Sequence, residues 1–296
     1  MSRDTRAGVV FAGGAFLIWG ITPVYWKLLK HVPALELLAH RIVWALVLVG
    51  VWMTVRRRWP ELLAAVRRPR TLAALLASTA CIAVNWGLFI WAVNTDRVLS
   101  TSLGYYINPL VSVLLGLVVL RERLNRRQWL AVGLAAVAVA ILTARVGHLP
   151  WISLALALSF GFYGLLRKTV AADAVVGLTF ETAALTPLCL AFLGWRERLG
   201  AAAFSHQGVA VDLLLVAAGT VTAIPLLLFT LGARRLPLST VGLLQYIAPT
   251  CTFLLAVFLY SEPFTAAHAV AFALIWTALA LYTFDLKTRL QRVEAA

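Results

Sequence analysis

Ten times along its 296 residues the chain runs apolar for about the length that carries a helix across a bilayer core, roughly 20 residues. The stretches are 8–27, 34–55, 71–95, 98–120, 126–144, 149–167, 174–194, 209–231, 236–259 and 264–284. Short connections join them, so no soluble catalytic domain is hidden between crossings. The bulk composition agrees: 62% of residues are hydrophobic and 13% charged, at a mean hydropathy of +0.89. A soluble domain is apolar over roughly half its residues. The expected fold is therefore an all-α polytopic membrane protein with ten transmembrane helices.

The net charge of +14 invites a nucleic-acid reading, but the basic residues lie in the loops between spans rather than along one helix face. When loops are assigned alternately to two sides, one side collects 19 of them. These are Arg3, Arg6, Arg56, Arg57, Arg58, Arg67, Arg68, Arg70, Arg121, Arg123, Arg126, Arg127, Arg167, Lys168, Arg234, Arg235, Lys287, Arg289 and Arg292. The other side receives six: Lys27, Lys30, Arg97, Arg145, Arg196 and Arg198. Arg41 falls inside a span. Such a bias places the richer side in the cytoplasm. Both tails, 1–7 and 285–296, are thus expected in the cytoplasm. An odd number of crossings would blur the asymmetry, so ten fits better than nine or eleven.

The first run, within "MSRDTRAGVVFAGGAFLIWGITPVYW", begins as a secretory signal does. It is longer than a usual signal core and lacks a clear small-residue cleavage site, so a retained first helix is expected. Cys81, Cys189 and Cys251 all fall in spans without metal spacing and read as small buried residues, with no structural disulfide.

The stretch "LGYYINPLVSVLLGLVVLRE" (103–122) returns as "LLQYIAPTCTFLLAVFLYSE" (243–262). Tyr106, Ile107, Pro109, Leu114, Leu115 and Glu122 fall on Tyr246, Ile247, Pro249, Leu254, Leu255 and Glu262. A shift of about 140 residues also lays "IWGITPVYWK" (18–27) on "SFGFYGLLRK" (159–168), with Gly20 over Gly161 and Lys27 over Lys168. The repeats are 8–144 and 149–284, five crossings each. An odd-numbered half copied once must enter the membrane from the opposite side. The halves are therefore expected to be inverted about an axis in the membrane plane. Inverted halves supply two related conformations, each opening the centre to one side, which is the basis of alternating access.

Pro109 and Pro249 cannot donate the helical hydrogen bond and crowd the preceding turn, so the backbone should loosen about one turn earlier. Loosened carbonyls are tolerated in lipid where protein or a wet cavity surrounds them. Tyr105, Tyr106 and Asn108 offer polar partners in the first copy; Gln245 and Tyr246 do so in the second. Both prolines are expected to act as hinges beside a cavity, against the plainer alternative that they kink helices for packing.

Ionisable groups inside spans are costly and face a partner or a pathway. In "LELLAHRIVW", Glu36 and His40 share a helix face and Arg41 is offset by one position. Glu36 reads as interfacial, whereas His40 and Arg41 lie one to two turns deeper. Glu181, in "GLTFETAALTP", falls on the His40 position under the repeat, and serves either as a structural acid bonding a neighbouring helix or as a proton- or substrate-sensing acid. Asn85 and Asn94 have interhelical bonding as their plainer role. Trp86 and Trp91 can be belt or packing aromatics, and Glu122 and Glu262 end their spans as loop caps or partners of nearby basic residues. The residues expected to line a substrate cavity are Trp19, His40, Arg41, Asn85, Tyr106, Asn108, Tyr163, Glu181, Gln245 and Tyr246. Arg41 would attract an anionic group, Glu181 a cationic group or a proton, and the aromatics the apolar face of the cargo.

No G-x-x-x-x-G-K-[ST] phosphate loop, H-E-x-x-H or G-x-S-x-G occurs, and the five histidines are scattered. No cofactor, metal or catalytic group is expected. Any driving force would be a coupling proton or a counter-substrate. Two other classes remain: a membrane-embedded enzyme acting on a lipid or isoprenoid, which would need clustered acids or histidines at one face, and a non-transporting sensor or assembly partner.

The segments "LELLAHR", "NWGLFIWAVN", "SLGYYINPLVSVLLG", "TAIPLLLFT" and "RRLPLSTVGLLQYIAPTCTFLLAVF", in that order from about residue 8 to 285, resemble the RarD group of EamA-type transporters in the drug/metabolite transporter superfamily. The resemblance implies a permease of the cytoplasmic membrane with two EamA repeats around a central cavity. It implies a small-molecule substrate in a setting of membrane lipid, and links the group to chloramphenicol-related drug transport. The superfamily carries drugs, amino acids, sugars and other metabolites, so the cargo stays open.

Overall fold

The structure, a computed structural model, describes residues 3–95, 97–144, 150–259 and 266–294. Among the described residues every regular element is helical: α1 (Arg3–Leu28), α2 (Ala34–Val55), α3 (Trp59–Val66), α4 (Pro69–Asn94), α5 (Val98–Val118) and α6 (Arg126–Ala144). The remainder are α7 (Trp151–Thr169), α8 (Ala174–Arg198), α9 (Val209–Arg235), α10 (Leu238–Leu244), α11 (Ile247–Leu254), a π-helical turn at Leu255–Leu259, and α12 (Ala266–Glu294).

Among the described residues, eight segments are long and apolar enough to cross a membrane by length and composition. They are α1, α2, α4, α5, α6, α8, α9 and the composite stretch Leu238–Leu259. Helix α7 closes on Arg167 and Lys168 in its last turn, and the apolar part of α12 is the shorter stretch Ala269–Tyr282. Helix α3 was not anticipated from the sequence. Its "WPELLAAV" places Pro60 in the first turn, where the missing N–H costs nothing. The indole of Trp59 ties it back to Thr54 Oγ1 at 3.0 Å.

The two proline-bearing copies behave differently. Pro109 sits inside an unbroken α5. In the second copy the helix stops after Leu244, turns at Gln245–Tyr246 and restarts as α11, with Pro249 its third residue. The break lies three to four residues before the proline, where the ring crowds the preceding turn. Polar bonds refill it: Tyr246 N–H donates to the Leu243 carbonyl at 3.2 Å and Ala248 N–H to that of Gln245 at 3.2 Å.

The bundle is held mainly by packing between the two halves of the sequence. Helix α1 packs on α9 and α11, α2 on α8 and α9, α4 on α7 and α8, α5 on α7 and α10, and α6 on α12. Small residues permit the tightest approaches, as lipid-immersed helices require. A Cβ on Gly20 of α1 would stand 2.5 Å from Cys251 Cβ of α11, and one on Gly161 of α7 would stand 2.6 Å from Val111 Cγ1 of α5.

One end of the bundle gathers the arginine-rich connections and is closely tied. Lys168 Nζ donates to the Ala233 carbonyl at 2.9 Å, and Arg234 to the carbonyls of Val170 and Ala172 at 2.9 and 2.8 Å. Arg58 bridges Glu61 and Asp173, and its hydrogen bond holds the Glu61 carboxyl below the usual carboxylate range. Asp173 also caps α8 by accepting from Val176 N–H at 2.8 Å. Glu122, just past α5, accepts from Leu238 N–H at 2.6 Å and from Ser239 N–H and Oγ at 2.9 and 2.6 Å. An acid from the first half thus caps the first turn of α10 in the second, where a carboxylate meets free N–H donors and the positive end of the helix dipole. Glu122→Ala should lower stability by about 1–2 kcal/mol. Thermal unfolding in detergent reads this, and an unchanged midpoint would show that water replaces the cap at no cost. Glu262, the counterpart of Glu122, and Arg145 lie outside the described residues.

Candidate functional site

Arg41 stands about 10 Å along α2 from its start, at 1.5 Å per residue. Its guanidinium lies 4.7 Å from the Trp26 ring and 5.6 Å from the Trp86 ring. Its Nε–H donates to Thr222 Oγ1 at 2.9 Å, and that hydroxyl donates onward to the Ala218 carbonyl at 2.8 Å. Tyr25 and Tyr105 stand within electrostatic range of the same charge. Five helices, α1, α2, α4, α5 and α9, therefore converge on one cation. Among the described residues no carboxylate pairs with it, and no protein acceptor takes its two terminal amino groups.

The setting is a recess rather than a sealed core. Tyr105 stands among the five helices that converge on Arg41 and yet remains 52% exposed. That combination marks the wall of a hollow, because a side chain on the outer surface would lack the surrounding atoms. Arg41, Trp26 and Trp86 are likewise half-buried. Trp86 also packs against a core cluster that contains Phe16, Tyr163 and Phe229, as do Trp19 and Phe160. There the Trp19 and Phe160 rings meet edge-to-face at 5.8 Å, and Phe229 stacks on Tyr163 at 6.1 Å. Edge-to-face and offset contacts of this kind rigidify the base of a site.

Glu181 belongs to a different constellation. It is 2% exposed, and its carboxylate accepts from Ser78 Oγ of α4 at 2.7 Å and from the Tyr163 hydroxyl of α7 at 3.2 Å. Arg167 Nε lies 3.6 Å from the same carboxylate. Arg167 was counted above among the loop charges; the structure turns it inward instead, at 0% exposure. Its Nη2 donates to the carbonyls of Asp173 and Ala174 at 3.3 and 3.0 Å. Gly177 makes the space, since a Cβ there would fall 1.7 Å from Arg167 Nη1. Glu181 thus already has a cation and two hydroxyl donors from the protein itself.

The other expected residues scatter. His40 is buried and stacks on Phe204 at 5.3 Å, facing a shallow cleft between α2 and α8 that also carries Glu36 and Glu197. Neighbouring in sequence, His40 and Arg41 therefore look into different spaces. Glu36 is 0% exposed; Arg196 reaches it at 3.1 Å, and the Ala203 N–H of the α8–α9 loop also donates to it. Asn85 gives its amide to α7, at 2.9 Å from the Leu156 carbonyl and 3.0 Å from Ser159 Oγ. Tyr246 is fully buried and donates to the Tyr106 carbonyl at 3.1 Å, so the two copies of the repeated tyrosine touch. Asn108 and Gln245 are buried, each with a side-chain carbonyl oxygen lacking a protein partner. Trp91 packs on Trp151 at 5.7 Å under Arg97. The Asn94 side chain lies outside the described residues.

Sequence reasoning did not place Trp26, Tyr25 or Thr222 around Arg41, and named Tyr105 only as a polar partner in the turn before Pro109. Tyr105 carries a signal, because the shift of about 140 residues places it on Gln245 in the broken turn. Thr222 has none: it is one of several threonines in apolar spans, and its meaning depends on how α9 is rotated. Arg167 next to Lys168 at a span end looks like any loop pair.

The sequence profile of the EamA-like transporter family matches residues 6–144. Protein RarD of Escherichia coli K12 is 46% identical over 287 residues, covering 96% of each chain. A Pseudomonas aeruginosa relative named chloramphenicol-sensitive protein RarD is 35% identical over 299 residues, covering 99% of this chain and 98% of its own. A solved crystal structure, 22% identical, superposes over 96% of this chain and 99% of its own at a TM-score of 0.72, and shares the fold. The chain belongs to the EamA-like transporter family, among the RarD-type membrane transporters of the drug/metabolite superfamily.

Proposed function

We propose that the chain is a secondary carrier, moving a small metabolite or amphipathic drug across the cytoplasmic membrane by alternating access between two inverted five-helix halves. In this reading α7 and α12 complete ten crossings, both termini face the cytoplasm, and the units are 8–144 and 149–284. The observation that carries it is the exchange rule in the packing. Shifting by about 140 residues turns α1 on α9 into α7 on α4, α1 on α11 into α7 on α5, and α2 on α9 into α8 on α4. The pairs α2 with α8, α5 with α10 and α6 with α12 map onto themselves. The rule reaches single residues: Gly20 against Cys251 mirrors Gly161 against Val111. A bundle obeying such a rule has a second arrangement of near-equal energy, reached by exchanging the roles of its halves.

The tied arginine-rich end then corresponds to a closed cytoplasmic side, with the Arg41 recess reached from outside. Pro249, beside the broken turn, and Pro109, in the intact α5, are the hinges. Arg41, Trp19 and Tyr105 meet the cargo, with Tyr106 and Asn108 beside them. Tyr163, Glu181, Asn85, His40, Gln245 and Tyr246 lie away from the Arg41 recess, tie the surrounding helices to one another, and shift between states. No phosphate loop is present, so the drive is a proton or counter-substrate gradient. Chloramphenicol is the first drug to try, given the name of the Pseudomonas relative.

The topology is tested by single cysteines at Arg145 and Gly200, labelled in intact cells by an impermeant maleimide. Both should label from outside, and Arg289→Cys only after lysis. Labelling of the first pair from the cytoplasm would remove the inverted arrangement. Transport is tested by counterflow of candidate solutes in proteoliposomes, with and without a proton gradient. A protein that moves no solute but retains a protein partner would be a sensor instead.

A further inference from the structure

Among the described residues, the acids of the membrane-embedded core are already engaged. Glu181 has Ser78, Tyr163 and Arg167. Glu36 has Arg196 and a loop N–H, and Glu122 has the first turn of α10. Asp212 accepts from Ser205 N–H at 2.8 Å. Arg41 is the reverse case: an arginine two turns into α2, with one nitrogen bonded to a hydroxyl and, among the described residues, no protein acceptor on its two terminal amino groups. An uncompensated guanidinium within a membrane is costly. The two tryptophan faces at 4.7 and 5.6 Å offset part of that cost through cation–π attraction, but neither occupies the fork.

We propose that the cargo is a small organic monoanion, a carboxylate or similar planar oxyanion on a flat apolar body, held by the open fork of Arg41 and bracketed by Trp26, Trp86 and Tyr105. This rests on the carrier reading above and names the class of solute that its site takes. Arginine's outer nitrogens match two oxygens of one carboxylate, a geometry that lysine cannot reproduce. The aromatic walls favour a flat body. A cationic or zwitterionic amine would bring a second positive charge into a low-dielectric recess where, among the described residues, Glu36, Glu181 and Asp212 already have partners. The site therefore selects by charge as well as by shape, and amine-bearing drugs are poor cargo.

The test uses three probes of one shape, phenylacetate, phenylacetamide and phenethylamine. Binding to the purified full-length protein in detergent is followed by tryptophan fluorescence and thermal shift, with no gradient and no flux required. Phenylacetate should bind at least ten-fold more tightly than the amide, and the amine most weakly. Arg41→Gln should erase the preference for the acid, Arg41→Lys should retain part of it, and Trp86→Ala should weaken the acid and the amide alike. Equal binding of all three, a preference for the amine, no binding of any, or an acid preference surviving in Arg41→Gln would each overturn the proposal. Because wild-type protein alone yields the charge ranking, an unstable variant does not decide the matter. Charge-selective binding without counterflow would instead strike the carrier reading and leave this one standing.

Discussion

Arg167→Met is expected to cost about 3–5 kcal/mol, the range for removing one partner of a buried ion pair. Both groups are sealed from water, Arg167 at 0% and Glu181 at 2% exposure. With the guanidinium gone, Glu181 keeps two hydroxyl donors, at 2.7 and 3.2 Å, but loses the charge that balances it. It must then carry an uncompensated negative charge or take up a proton. The carbonyls of Asp173 and Ala174 also lose their donor. The double variant Arg167→Met/Glu181→Leu should recover much of the loss, because an apolar pair of similar volume leaves no stranded charge. Thermal unfolding midpoints of the two singles and the double, in one detergent, form the cycle. If the double proves as damaged as the sum of the singles, the pair is not coupled and the ionic account of this site is wrong. Gly177→Val should resemble Arg167→Met, since its side chain would occupy the space of the guanidinium.

Gly219→Val should be comparably damaging for a purely steric reason. A Cβ at Gly219 of α9 would lie 2.4 Å from the Trp44 carbonyl carbon and 2.6 Å from the Ala45 nitrogen of α2. Those are backbone atoms, which cannot step aside as a side-chain tip can. The two helices must separate, carrying Arg41 away from Thr222 three residues along α9. The expected loss is about 3 kcal/mol, at the upper end of overpacking costs, with weaker ligand binding as well. Gly133→Val is the control, because nothing lies within 4 Å of a Cβ there. Folded yield and unfolding midpoint read the effect. Indistinguishable behaviour of the two variants would show that α2 and α9 are not locked at this crossing.

The residues explain why the fold was more legible than the site. The strand-free, helical character and the positions of the long apolar segments could be read directly, since crossing a lipid layer demands run lengths that composition displays. The register between "GYYINP" and "QYIAPT" was also visible, and the touching of Tyr106 and Tyr246 gives it spatial meaning. Which proline breaks its helix was not visible. Both copies carry the same signal, yet α5 runs through Pro109 while the other chain turns at Gln245–Tyr246. Helix α3 escaped notice because it crosses nothing, and a span-length reading has no place for an eight-residue helix.

Among the candidate residues, chemistry chose sensible types and rotation about the helix axis sorted them. His40 and Arg41 are neighbours whose side chains diverge by about 100° on a helix. One meets Phe204 at an outer cleft, and the other meets Trp26, Trp86 and Thr222 in the recess. Asn85 had interhelical bonding as its plainer reading, and its amide does bond α7. Glu181 was weighed between a structural and a coupling acid; its structural partners are Ser78, Tyr163 and Arg167.

The sequence alone determined that the chain is a helical membrane protein, because hydrophobic run length is a local quantity and lipid answers to it directly. It also determined family, through ordered motifs spread along the whole length. Tertiary structure decided which intramembrane charges neutralise one another and which is left open. Those outcomes turn on contacts between residues 103 apart, as in Ser78 with Glu181, or 181 apart, as in Arg41 with Thr222. The rotation and approach of packed helices create such contacts, and no local pattern records them.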